Sequence, residues 1–118
     1  MTTKQIGDFG ESEACRFLEN KGIKVLKRNY RERGGEIDII AKDGETIVFA
    51  EVKTRASKDY GTPAEFVDYK KREKIIKTAV SYLGTDDANM RFDVIEVMYK
   101  PRGEALLVTE INHIKEAF

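Results

Sequence analysis

Within GGEIDIIAKDGETIVFAEVKTR, residues 34–55, two runs read as buried strands yet carry charges a buried strand should not carry: Glu36, Asp38, Glu51 and Lys53. Their carboxylates are hard oxygen donors, and one or two such groups suit magnesium, which keeps several waters and is completed by substrate phosphates. A lysine beside them can orient or deprotonate an attacking water, or hold charge on a phosphate oxygen. The chemistry these residue types suit is hydrolysis of a phosphate ester. A strand-end salt bridge between Lys53 and Glu36 or Glu51 accounts for the same residues with no chemistry at all.

The local sequence must bring these groups together. Two alternating apolar runs, IDIIA and TIVFAEV, flank Lys42, Asp43, Gly44 and Glu45, and Asp-Gly between such runs is a strong hairpin signal. With Asp43 and Gly44 in the turn, Lys42 faces Glu45, Ile40 faces Ile47, Asp38 faces Phe49 and Glu36 faces Glu51. Strand alternation then places Glu36, Asp38, Ile40, Ile47, Phe49, Glu51 and Lys53 on one face, and Ile37, Ile39, Ala41, Thr46, Val48, Ala50 and Val52 on the other. Both faces are largely apolar, so the hairpin belongs mid-sheet with helices over it. Asp38 lies diagonally from Glu51, close enough to share a cation. An ionised carboxylate in such surroundings is costly unless paired or bound to metal, so a positive group belongs among them.

The remaining chain supplies the cover. Ile6, Phe9, Ala14, Phe17 and Leu18 recur at helical spacing over residues 3–21, with Gly22 placed to end the helix. Gly7 and Gly10 within it point to close packing or a late helix start. Glu11 and Glu13 border its apolar face, as solvent-reaching side chains, partners of an arginine, or an extra acid near the hairpin. Residues 23–30 read as a strand with one covered face, and residues 31–35 as a turn. Thr62, Pro63 and Glu65 mark a helix start, and Asp68 can cap a second helix through Ile75, Ile76, Ala79, Val80 and Leu83 to Gly84. Strands follow over residues 91–99 and 104–111, and the tail NHIKEAF suits a last helical turn. This order predicts an α/β fold, a mixed central sheet flanked by helices.

At 118 residues the chain is expected to form a single domain, 1–118. A content of 41% hydrophobic and 36% charged residues describes a soluble globular protein, and only two prolines and nine glycines argue against low-complexity or disordered segments. Cys15 is the lone cysteine, a small buried residue by its position, and an intramolecular disulfide is excluded. The N-terminal residues carry no signal-peptide or transmembrane pattern, which sets cytoplasmic localisation, without a membrane partner, as the expectation. Twenty-one basic and 21 acidic residues cancel, so the overall field does not advertise a nucleic-acid binder. The basic residues are nevertheless grouped, Lys24, Lys27, Arg28, Arg31 and Arg33 in one stretch and Lys70, Lys71, Arg72, Lys74 and Lys77 in another. Such runs are either solvated faces or contacts for backbone phosphates.

Asp38 on one strand and Glu51-Val52-Lys53 on its neighbour resemble the motif of the PD-(D/E)XK nuclease superfamily. Together with YGTPAEF, RFDVIEV and HIKEAF, the segments GGEIDIIA and VFAEVKTR resemble the bacterial YraN family, whose members are similar to archaeal Holliday-junction resolvases. The resemblance implies a restriction-endonuclease-like core, with Asp38, Glu51 and Val52 at the metal-binding positions and Lys53 as the catalytic lysine. Gly10-Glu11 followed by Ala14 matches the family's first helix and singles out Glu11 rather than Glu13 as the additional acid; Glu36 belongs to the same motif. Ile37 stands where the superfamily usually has proline, a replacement that YraN members share. The implied activity is a Mg2+- or Mn2+-dependent endonuclease acting on branched or flapped DNA as a homodimer, with Arg28, Arg31, Arg33, Arg55, Lys70 and Lys71 on backbone phosphates. Two other readings fit the residues: a non-catalytic nucleic-acid-binding module of a repair or replication assembly, and a structural ion network in an interaction domain.

Overall fold

Thr2 caps the first helix through a reciprocal pair of hydrogen bonds with Gln5, 3.1 Å from the Gln5 N–H to Thr2 Oγ1 and 2.8 Å from the Thr2 N–H to Gln5 Oε1. The structure, a computed structural model, describes residues 1–57 and 67–118; the helix start expected from Thr62, Pro63 and Glu65 lies outside them. The element order is α1 (Thr3–Asn20), β1 (Lys24–Glu32), β2 (Gly35–Asp43), β3 (Thr46–Ala56), α2 (Tyr69–Leu83), β4 (Met90–Arg102) and β5 (Ala105–Ile114). Asp68 caps α2 by accepting the Lys71 N–H at 2.8 Å, and Gly84 ends it in the left-handed region, as the residue types predict.

The strands form one sheet in the order β1-β2-β3-β4-β5, antiparallel throughout except for the parallel β3–β4 pair. The two helices among the described residues cover opposite faces. On one, Ala14, Cys15 and Leu18 of α1 pack on Ile39, Ala41, Val48, Ala50, Ile95 and Val97; on the other, Ile75 and Ala79 of α2 pack with Ile37, Ile40, Phe49, Phe92 and Val94. This mixed sheet between helices is the α/β arrangement the sequence predicts and is consistent with a restriction-endonuclease-like core.

Two glycines set the helix–sheet spacing. A Cβ on Gly10 would lie 1.7 Å from Thr54 Oγ1, and one on Gly35 would lie 2.0 Å from Thr78 Oγ1. The helix runs unbroken from Thr3, so Gly10 serves close packing rather than a late start.

Three local expectations need correction. The hairpin loop is Gly44-Glu45, with Asp43 paired to Thr46 and Ile40 to Phe49, two positions away from the expected register. Asp43 stays in the ladder because its carboxylate accepts Arg91 Nη1 of β4 at 2.9 Å. Ile37 packs with Ile40, not with Ile39, because the alternation of β2 slips at Asp38. The tail is not helical at its start: β5 continues through Asn112 and His113 to Ile114. Those two side chains are needed as donors to buried acids of β4, Asn112 to Glu96 at 2.8 Å and His113 to Asp93 at 2.7 Å.

Candidate active site at a fork in the sheet

β2 and β3 pair from the hairpin only as far as Ile39 and Ala50. Beyond that point β2 stays with β1 to Gly35, and β3 stays with β4 to Ala56. The sheet forks there. A side chain rather than a backbone carbonyl takes the first amide past the split: the Val52 N–H donates to Asp38 Oδ2 at 2.8 Å. The observed register, carried one step further, sets Asp38 level with Glu51 instead of Phe49.

Lysines crowd the Glu51 side of the fork. Glu51 Oε1 lies 3.7 Å from Lys53 Nζ and forms an ion pair with Lys71 Nζ, which reaches in from the first turn of α2. From α1, the buried Glu11 approaches the same cluster; its Oε1 is shielded from solvent and makes no hydrogen bond among the described residues, with Arg28 Nε 3.8 Å away. Arg28 is itself steadied by donating Nη2 to Ser12 Oγ at 3.0 Å.

Burial and mutual repulsion distort the titration of these groups. Asp38 is pushed up from 3.8 to about 7, first by burial and then by the Glu51 charge, with the Val52 N–H pulling the other way. Glu11 is raised by burial, against the lowering effect of Arg28. Burial, reinforced by Lys71 alongside, lowers the Lys53 ammonium; burial also opposes charge on Lys71, but its hydrogen bonds with Glu51 and Lys53 and the attraction of Glu51 and Asp38 together raise it.

The fork opens to solvent on both sides of the sheet. A cavity of about 450 Å³ on the α1 side is lined by Glu11, Asp38, Glu51, Val52, Lys53 and Thr54 among others. A groove of about 640 Å³ on the α2 side is lined by Arg31, Glu36, Glu51, Lys70, Lys71 and Lys74 among others. Glu51 lies on the wall of both.

Residues 10–97, which carry every strand and helix face of this fork, match the family model described as Uncharacterised protein family UPF0102. The chain belongs to UPF0102. It is 49% identical over 120 residues to the UPF0102 protein of Alkaliphilus oremlandii, covering 98% of each chain. The UPF0102 protein of Clostridioides difficile is 48% identical over 121 residues, covering 100% of each. That of Persephonella marina is 45% identical over 115 residues, 95% of this chain and 91% of its own. UPF0102 is the family of the YraN resemblance.

In this UPF0102 chain the fork brings together Asp38, Glu51, Lys53 and Glu11, four of the five acids and lysine singled out from the sequence. Glu36 stands at the margin: its side chain is 66% exposed and faces Arg31 Nε at 3.5 Å, on the wall of the α2-side groove. Val52 offers only backbone atoms, and with its N–H committed to Asp38 the carbonyl oxygen is what remains for a cation. Among the described residues, no group of three or more His, Cys, Asp or Glu side chains is gathered at metal-binding distance. Of the basic residues, Arg31, Lys70 and Lys71 line the α2-side groove, Arg28 adjoins Glu11, and Arg33 is exposed in the β1–β2 turn. Arg55 differs from these, its side chain 14% exposed and facing Glu96 of β4. The position of Lys71 on Glu51 has no local signature in the sequence, since it depends on how α2 docks. No helix among the described residues is long and apolar enough to cross a membrane.

Proposed function

We propose that this UPF0102 protein is a metal-dependent endonuclease that hydrolyses phosphodiester bonds in branched or flapped DNA. The observation that carries the reading is the sheet fork, where two acids face each other from parting strands and burial with Glu51's charge holds Asp38 near pH 7. Hard oxygen donors fit magnesium or manganese, and magnesium needs few of them because it keeps its waters. Asp38 and Glu51 would hold the ion, with the Val52 carbonyl beside them and the orphaned Glu11 Oε1 on the same side. When bound, such an ion supplies Lewis acidity at a phosphoryl oxygen and lowers the pKa of a bound water.

The chain's own groups divide the remaining work. The Val52 N–H fixes the Asp38 carboxylate so that one oxygen stays turned to the fork. Lys53, its ammonium made more acidic by burial and by Lys71, can pass a proton to or from an attacking water, or hold charge on the phosphate. Arg31 and Lys70 lie where a DNA backbone entering the α2-side groove would run, and Arg28 adjoins Glu11 beside the fork.

The purified protein in magnesium or manganese is expected to cut flapped duplexes or four-way junctions, and Asp38→Ala and Lys53→Ala are each expected to abolish cutting. Cleavage that survives both substitutions ends the mechanism. A second reading draws on the two lysines that already neutralise Glu51 without any metal: a non-catalytic nucleic-acid-binding module within a repair or replication assembly. It predicts salt-dependent DNA binding that neither metal nor Glu51→Gln alters, and no turnover across the same substrates.

A further inference from the structure

Lys71 has two places to put its charge. Its backbone is fixed in the first turn of α2, where the N–H is held by Asp68 Oδ1 at 2.8 Å. From there the side chain spans to Glu51 Oε1 on β3, the same oxygen that faces Lys53. The side chain is not enclosed: it is 41% exposed and borders the groove that Arg31, Lys70 and Lys74 share. The stem is a flexible chain of four carbons, so the ammonium can turn from the carboxylate toward that basic groove.

We propose that Lys71 is a tethered counter-ion that competes with the divalent cation for Glu51 and, once displaced, binds a substrate phosphate in the adjoining groove. The inference rests on the reading of Glu51 as a metal ligand given above. A cation seeking Glu51 Oε1 must first remove the ammonium seated there, so the site without DNA takes up metal weakly. A DNA phosphate in the groove gives the displaced ammonium a new partner and lowers the cost of that removal. Linkage then requires the converse: metal at Glu51 frees Lys71 and strengthens DNA binding by the same factor. The arrangement favours loading the site with metal and substrate together over loading either alone.

The test reads metal binding, not cleavage. Mn2+ affinity is measured from the free-ion paramagnetic resonance signal, with and without a flapped duplex carrying phosphorothioate linkages at the branch, for the wild type, Lys71→Met, Lys71→Gln and Lys77→Met. Without DNA, both Lys71 variants are expected to bind Mn2+ about tenfold more tightly than the wild type, within the usual range for coupled sites. The duplex is expected to tighten Mn2+ binding in the wild type and to do so far less in the Lys71 variants. Lys77, exposed further along the same helix, controls for simple loss of positive charge and is expected to leave Mn2+ affinity unchanged. Equal or weaker Mn2+ binding by the Lys71 variants, or equal tightening by Lys77→Met, overturns the counter-ion role and leaves the nuclease reading standing. Absence of Mn2+ binding in every variant overturns both.

Discussion

Replacing Asp38 with asparagine separates electrostatic strain at the fork from packing. The side chain keeps its shape and the oxygen that accepts the Val52 N–H, but it loses the charge that burial and Glu51 oppose. Because the folded pKa of Asp38 lies near 7 and its ordinary value is 3.8, the folded state binds the extra proton between those limits. Wild-type stability therefore falls as pH rises from about 4 to about 7, and above 7 the full penalty is carried. At 1.36 kcal/mol per unit the displacement corresponds to roughly 4 kcal/mol, which partial solvent contact at the fork discounts to roughly 2. Urea unfolding at a series of pH values should show Asp38→Asn more stable than wild type by about that amount at pH 8 and the two converging near pH 4. Added magnesium should raise the wild type toward the variant at pH 8 and leave the variant unmoved, because binding to the native state alone stabilises it. A variant no more stable than wild type at pH 8, or a gap that does not close toward acid, would refute the assignment of strain to this carboxylate.

Two further substitutions probe the scaffold. Gly10→Ala forces a Cβ to within 1.7 Å of Thr54 Oγ1 and should lower unfolding free energy by about 1 to 3 kcal/mol. Gly7→Ala, in the same helix with nothing within 4 Å, should raise it by up to about 1 kcal/mol; equal urea midpoints for the two would show that α1 does not pack this closely. Asp93 is fully buried, and although burial alone would raise its pKa, hydrogen bonds from His113, Arg91 and the Glu116 N–H hold it below 3.8. Its contribution is present above the unfolded value and lost as pH falls through the lower folded one. Asp93→Ala strands those donors and should cost about 3 to 5 kcal/mol at pH 7; a loss under about 1 kcal/mol in the same assay would show that the network is not a structural clamp.

Much of the scaffold is legible in the residues. Apolar alternation yields the strands, and Asp68 and Gly84 mark both ends of α2. The face assignment for Glu51 and Lys53 survives a wrong hairpin register because the error is two positions, and side chains repeat every two. What changes is the company each residue keeps: Asp38 moves from opposite an aromatic ring to the level of another acid. The tail is misread for a different reason. Asp93 and Glu96 in RFDVIEV are charges on a buried strand, the same signal that marks the hairpin, and they require donors from a neighbouring strand; Asn112 and His113 meet that need and hold the tail extended.

The sequence by itself determined the element order, the helices covering both faces and the residue types at the site, because alternation, caps and turns act over a few neighbouring positions. Tertiary structure alone decided where β2 leaves β3, that Glu11 arrives from α1 with an orphaned oxygen, that Glu36 stays at the solvent margin, and that Lys71 comes down on Glu51. Those facts depend on distance and burial between segments far apart in the chain, and burial together with proximity is what turns a string of acids and lysines into a site with shifted protonation.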